Sequence, residues 1–161
     1  MIIPYDRTRA VEYADRWALL RNPQYYDFSD IGGDCTNFAS QCLYAGAPVM
    51  DNTPVFGWHY YSSYKRTPSW TGVDYFFNYL IRRTKTVGPF GEITKLEELK
   101  IGDFIQLANS FDDYFHTLVV VGFIDQKILV SSHSRDTYHV PLDFFVYDDL
   151  RCLHILGVRF D

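Results

Sequence analysis

Cysteine is scarce in this sequence, and so are several other features whose absence narrows its function. Only three cysteines, Cys35, Cys42 and Cys152, occur in 161 residues. They are too few and too far apart for a disulfide framework, and no Cys-x-x-Cys or His-rich spacing offers zinc ligands, so a free thiol is expected and a metal is not. Basic clusters are missing as well. Lys and Arg are scattered, the formal net charge is −5 and the isoelectric point is near 5.4, which leaves no electrostatic footprint for nucleic acid. No run approaches the ~18–20 apolar residues of a membrane span. The opening Met-Ile-Ile-Pro-Tyr-Asp lacks the basic and apolar regions of a signal peptide. The chain therefore reads as cytoplasmic, or as a module of a longer exported bacterial protein.

Aromatic residues, by contrast, are plentiful: 13 Tyr, 13 Phe and 3 Trp in a chain that is 47% hydrophobic. That composition folds rather than staying disordered. At 18.8 kDa the chain is long enough to bury a core without staples, and a single domain over residues 1–161 is expected.

Helical spacing of Ala10, Val11, Ala14, Trp17 and Ala18 predicts an amphipathic helix between Asp6 and Leu20, ended by Asn22-Pro23. A second helix is predicted over Cys35–Ala45, with Asp34 as its N-cap and Gly46 as the C′ residue. Pro54 to Gly72 lacks a period and reads as a long loop, and Val73–Arg83 as a helix. From Asp103 onward the pattern turns to strands: 103–108, 116–124, 127–133 and 153–160. Asp125-Gln126 is a tight link that should make a hairpin of the middle two. Helices first and strands later predict an α+β fold, with the helices packed on a mostly antiparallel sheet.

Cys35 stands at a predicted helix start, where unpaired N–H groups and the macrodipole lower a thiol pKa. The preceding Gly32-Gly33-Asp34 lets the backbone expose the sulfur and places the Cys35 N–H, and the Asp34 turn with it, where an oxyanion could bind. Cys42, two turns further on, and Cys152 read as core. Among five histidines, His116 opens the most apolar run of the chain, Leu118-Val-Val-Val121, and a strand mouth holds an imidazole rigidly enough to serve as the base. A third group should fix the tautomer of that ring from the paired strand. The hairpin brings Ser132, His133 and Asp136 near its level, and His133 is the choice because one imidazole nitrogen can accept while the other donates. Tyr25 lies in the loop before the nucleophile, where its hydroxyl could assist an oxyanion.

Asn22-Pro-Gln-Tyr25, then Gly33-Asp-Cys-Thr-Asn-Phe-Ala-Ser-Gln-Cys-Leu43 with Ala45-Gly46, and a later His before a valine run, resemble the putative amidase family, which is grouped with the NlpC/P60 and CHAP domains of the papain-like cysteine peptidases. The resemblance spans roughly Tyr5 to Phe160. It implies a papain-like (NlpC/P60-type) core with Cys35 as nucleophile, His116 as base and His133 as polar orienter, and Tyr25 is similar to the tyrosine upstream of the nucleophile in NlpC/P60 enzymes. It implies hydrolysis of an amide, with a peptide or peptidoglycan stem peptide as substrate and no cofactor. Acyl transfer on the same Cys-His pair is a second expectation. A third is a non-catalytic module binding sugar or peptide through Phe56, Trp58, His59, Tyr60, Tyr61 and Tyr64.

Overall fold

The computed structural model describes residues 1–110 and 112–161. The first two helices are α1 (Arg7–Trp17) and α2 (Cys35–Gly46). Asp6 caps α1 by accepting from the Arg9 N–H at 3.1 Å, and Ala10 and Ala14 form its buried stripe. Residues this small let α1 lie close on α2. Gly46 is where the two meet: a Cβ there would stand 2.4 Å from the Asp6 carbonyl oxygen. The glycine predicted to end α2 as a left-handed C′ residue is thus the last residue of the helix, required for close approach and not for a positive φ.

Every residue of α2 from Cys35 to Leu43 is buried, so this helix is the axis of the core. Around it pack Trp58, Trp70, Phe76, Phe104, Val119 and Leu153. The segment predicted as a loop folds into the hairpin of β2 (Tyr60–Ser62) and β3 (Lys65–Arg66) and a short helix, α3 (Pro68–Thr71), followed by α4 (Val73–Leu80). Trp58 and Trp70 are fully buried in it, with ring centroids 4.5 Å apart. Of the aromatic residues expected to offer a binding surface, Trp58, His59 and Tyr60 therefore turn inward, and Phe56, Tyr61 and Tyr64 remain exposed.

The remaining elements are β1 (Ile2–Ile3), β4 (Gly88–Thr94), β5 (Phe104–Ala108), β6 (Tyr114–Ile124), β7 (Lys127–Ser132), β8 (Thr137–Pro141) and β9 (Asp149–Arg159). They form one sheet in the order β1-β9-β5-β6-β7-β8, with β4 on the other edge of β9. All of its pairings are antiparallel. Alternation along β6 serves two cores: Val119 and Val121 face the helices, while Leu118 and Val120 face a smaller cluster with Ile105, Leu107 and Val130. The fold is α+β, with helices on one face of an antiparallel sheet. Among the described residues no helix is long and apolar enough to cross a membrane.

One buried carboxylate ties the amino-terminal helix to the sheet. Asp103, fully buried, accepts from Arg7 at 2.8 Å, from His154 Nδ1 at 2.7 Å, and from the backbone N–H groups of Ile155 and Lys100 at 2.9 Å each. Arg7 also donates to the carbonyls of Ile101 and Ile155. Asp103→Ala strands these donors, and we expect it to destabilise the protein by about 3–5 kcal/mol in chemical denaturation. A loss within the range of an ordinary surface substitution would show that the ion pair is dispensable.

Candidate active site

The turn before α2 is built from Gly32 and Gly33 at φ 82° and 98°. In that left-handed region a residue with a Cβ is strained by roughly 1–2 kcal/mol. The turn delivers Cys35 as the first residue of the helix. At this point the neighbouring sheet has an opening: β7 pairs with β6 only from Val119 and Ser131 onward, so the start of β6 is uncovered on that side. The Cys35 sulfur sits there, 7% exposed, within reach of the Thr117 backbone N–H and of the hydroxyl and N–H of Thr36. Below it the Thr36 and Thr117 hydroxyls meet at 2.9 Å. From Thr117 a polar chain runs through buried Gln106 to Arg151 and ends at the surface on Asp74. These contacts fix α2 to β6, β5, β9 and α4.

His116 precedes Thr117 and shares the strand face of Leu118 and Val120. Its ring lies beside Phe115 (centroids 6.1 Å apart, 11° between planes) and Phe145 (5.5 Å). Cys35 and His116 both line one cleft of about 390 Å³, together with Gly32, Gly33, Ser134, Arg135 and the Phe144-Phe145-Val146 segment. Among the described residues no hydrogen bond joins sulfur and imidazole; the thiol's side-chain partner is Thr36 Oγ1 at 3.8 Å. Such pairs commonly tighten only with substrate bound.

Burial dominates the electrostatics of both groups. It pushes the Cys35 thiol above its ordinary pKa, opposed by the Thr117 N–H and by the Thr36 hydroxyl and N–H, while the Asp34 charge adds to the rise. This reverses the expectation of a low-pKa, exposed thiol. Burial, and then the Arg135 charge, lowers His116 to about 4. Near neutrality the resting pair is therefore a neutral thiol and a neutral imidazole.

The third expected member is elsewhere. His133, 1% exposed, lies on the helix side of the sheet, stacked on Phe38 with centroids 4.0 Å apart. Its Nδ1 lies 2.6 Å from Asp34 Oδ2 and its Nε2 lies 2.8 Å from the Trp17 carbonyl oxygen. Both ring nitrogens are thus engaged on the face opposite His116, and His133 does not orient that ring. Nor do the alternatives: Asp136 receives Arg21 through both carboxylate oxygens at 2.9 Å, and Ser132 Oγ pairs with Thr137 Oγ1 at 2.9 Å. The neighbours of the His116 ring are instead the rings of Phe115 and Phe145.

Asp34 also departs from expectation. Its side chain makes no cap hydrogen bond; it turns inward and accepts from the Phe28 N–H at 2.8 Å and Asn37 Nδ2 at 2.9 Å. Its own N–H donates to Ser134 Oγ at 2.6 Å, which leaves nothing of Asp34 for an oxyanion. Tyr25 stacks on Trp70, lies tilted against Tyr60 and lines a separate groove with Tyr44 and Tyr61, so it does not reach the sulfur. Burial raises its hydroxyl to about 12.

Three contributors escaped the sequence reading. Thr36 and Thr117 each follow a candidate catalytic residue, and alternation alone could have turned Thr117 toward the helix. Phe145 carries no such signal.

Residues 4–156, which include the Cys35 turn and the His116 strand, match the family model described as Putative amidase domain. The chain belongs to the putative amidase domain family. This amidase-family chain is 35% identical over 149 residues to the uncharacterized protein YhbB of Bacillus subtilis (strain 168), a match covering 90% of the chain and 45% of the relative. It is 30% identical over 150 residues to the uncharacterized protein YjcM of the same organism, covering 87% and 33%. The chain thus spans less than half the length of these curated relatives. No solved structure matches it.

The buried thiol gives a direct test. In a pH series of iodoacetamide labelling of the native protein, the Cys35 rate should rise with a midpoint above that of free cysteine. Cys42, whose thiol burial also raises strongly, should label only on unfolding. A Cys35 midpoint below free cysteine would mean that the helix terminus outweighs burial.

Proposed function

We propose that this chain is a cysteine-dependent amide hydrolase, a single papain-like unit over residues 1–161, in which Cys35 is the nucleophile and His116 the base. One observation carries the reading: a thiol at the first residue of a buried helix, and an imidazole with no hydrogen-bond partner among the described residues, open into the same small cleft. Membership of the putative amidase domain family supports amide chemistry. The order of nucleophile helix, histidine strand and hairpin supports the NlpC/P60 likeness.

The charge states give the order of events. Because both groups rest neutral, His116 takes the thiol proton as sulfur attacks the amide carbonyl carbon, with no ion pair formed beforehand. Negative charge gathers on the carbonyl oxygen, where the Cys35 N–H at the positive end of α2 can donate to it. The imidazolium then protonates the amide nitrogen as the C–N bond breaks, releasing the amine and leaving an acyl thioester. Water attacks the thioester, His116 accepts its proton, and the acid leaves as the thiol is restored. His133 acts at one remove: with Asp34 it positions the turn that presents Cys35.

Peptides are the substrate class, and peptidoglycan stem peptides the leading member by analogy with NlpC/P60 domains. Digestion of purified peptidoglycan and defined stem peptides, read by mass spectrometry, should yield new amines with wild type and none with Cys35→Ser. An added amine acceptor appearing in the products would instead mark acyl transfer. Absence of any Cys35-dependent product across peptide amides would sink the hydrolase reading.

The pH profile tests the base. His116 accepts a proton only above its depressed pKa, so the acid limb of kcat/KM should fall at about pH 4. His116→Ala should remove that limb and lower kcat by about 10²–10⁴. An acid limb near the ordinary histidine value would contradict the burial of this ring in the working enzyme.

A further inference from the structure

The cleft holds one charged side chain, Arg135. The turn that presents it is unusual: Ser134 and Arg135 both have left-handed backbones, at φ 60° and 78°, where residues other than glycine are strained. The residues on either side of Arg135 are pinned. Ser134 Oγ accepts the Asp34 N–H at 2.6 Å, next to the nucleophile, and Asp136 is gripped through both oxygens by Arg21. Arg135 between them is exposed, and among the described residues no carboxylate or carbonyl engages its guanidinium. Backbone strain held between two fixed neighbours, with a free cation at the wall of a reactive cleft, is the pattern of a residue kept for a ligand. Beside it, Phe144 and Val146 are 53% and 92% exposed and offer an apolar wall to a ligand's carbon skeleton.

We propose that Arg135 is a carboxylate-binding residue of this cleft, so that the amides accepted there carry a carboxylate near the scissile bond. The inference rests on reading the cleft as the hydrolase site and names its substrate class: acidic amides, either with an acidic side chain or with a free terminal carboxylate. A guanidinium suits this task because its fork matches both carboxylate oxygens at once. The same charge already bears on His116, so an anion docked on Arg135 changes the field at the base as well as the affinity.

The test is binding to the full chain carrying Cys35→Ala, measured by calorimetry, with two matched pairs of peptides. N-acetyl-Ala-Glu-Ala-amide against its Gln counterpart probes a side-chain carboxylate; N-acetyl-Ala-Ala against its amide probes a terminal one. One acid should bind about 10- to 100-fold tighter than its neutral partner, and the pair that discriminates identifies the source. Adding Arg135→Gln should bring that ratio to about one. Arg135→Gly should do the same while raising the thermal midpoint by about 2–4 °C, because it relieves the left-handed backbone. Equal binding of acid and amide in both pairs, including no binding at all, overturns the proposal, as does discrimination that survives Arg135→Gln. Turnover by the Cys35-containing protein is read in parallel. Discrimination without Cys35-dependent cleavage would leave the carboxylate site standing and remove the hydrolase reading; cleavage without discrimination would do the reverse.

Discussion

A single carboxylate, Asp34, lies where three parts of the chain converge. It is 1% exposed and receives the Phe28 N–H, the Asn37 amide and His133 Nδ1. The first of these folds the preceding loop onto the helix, the second locks the first turn of α2, and the third brings in the end of β7. A buried carboxylate of this kind is stable only when its oxygens are satisfied. The loop, the helix and the strand must therefore be correctly placed together or not at all. Cys35 is the next residue, so its position follows from a charge it never touches.

Around that centre the molecule divides its polar groups by purpose. Asp103 with Arg7 and His154 secures the amino-terminal helix, and the chain from Thr36 through Thr117 and Gln106 to Arg151 secures α2 to the sheet. The guanidinium of Arg151 is further held between the rings of Phe77 and Tyr114, at 3.8 Å from each. These networks are saturated. In the cleft, by contrast, the His116 imidazole and the Arg135 guanidinium have no hydrogen-bond partner among the described residues.

Much of this was legible in the residues. Gly-Gly-Asp-Cys announced a helix start, and Asp125-Gln126, both with positive φ, made the hairpin of β6 and β7 that was expected. The α+β class followed from the order of patterns, and the pairing of Cys35 with His116 in one cleft from the motif and the strand mouth. What failed was register. A bulge between Val120 and Gly122 shifts β6 against β7 by one residue, and the short β7 ends before His116. Counting back from the turn therefore misjudges both the level and the face of His133. β4 was hidden because Gly88-Pro-Phe-Gly-Glu-Ile-Thr carries residues that strands usually avoid; it is tolerated where Gly91 lets the backbone of β9 approach, since a Cβ there would lie 2.4 Å from the His154 carbonyl oxygen. Asp34 misled for a related reason: an Asp before a helix reads as a cap, and only the distant His133 and Phe28 reveal that it serves the interior.

The burial that keeps the proton on Cys35 has a consequence for chemical durability. Peroxides and disulfides react with the thiolate, and they do so in proportion to its population and its exposure. A sulfur that is covered, protonated at rest and without a neighbouring cysteine in its cleft is poorly placed to form a sulfenic acid or a mixed disulfide. Under the proposed mechanism, in which His116 removes the proton only during attack, the geometry would thus separate reactivity toward a bound amide from reactivity toward whatever oxidant diffuses past.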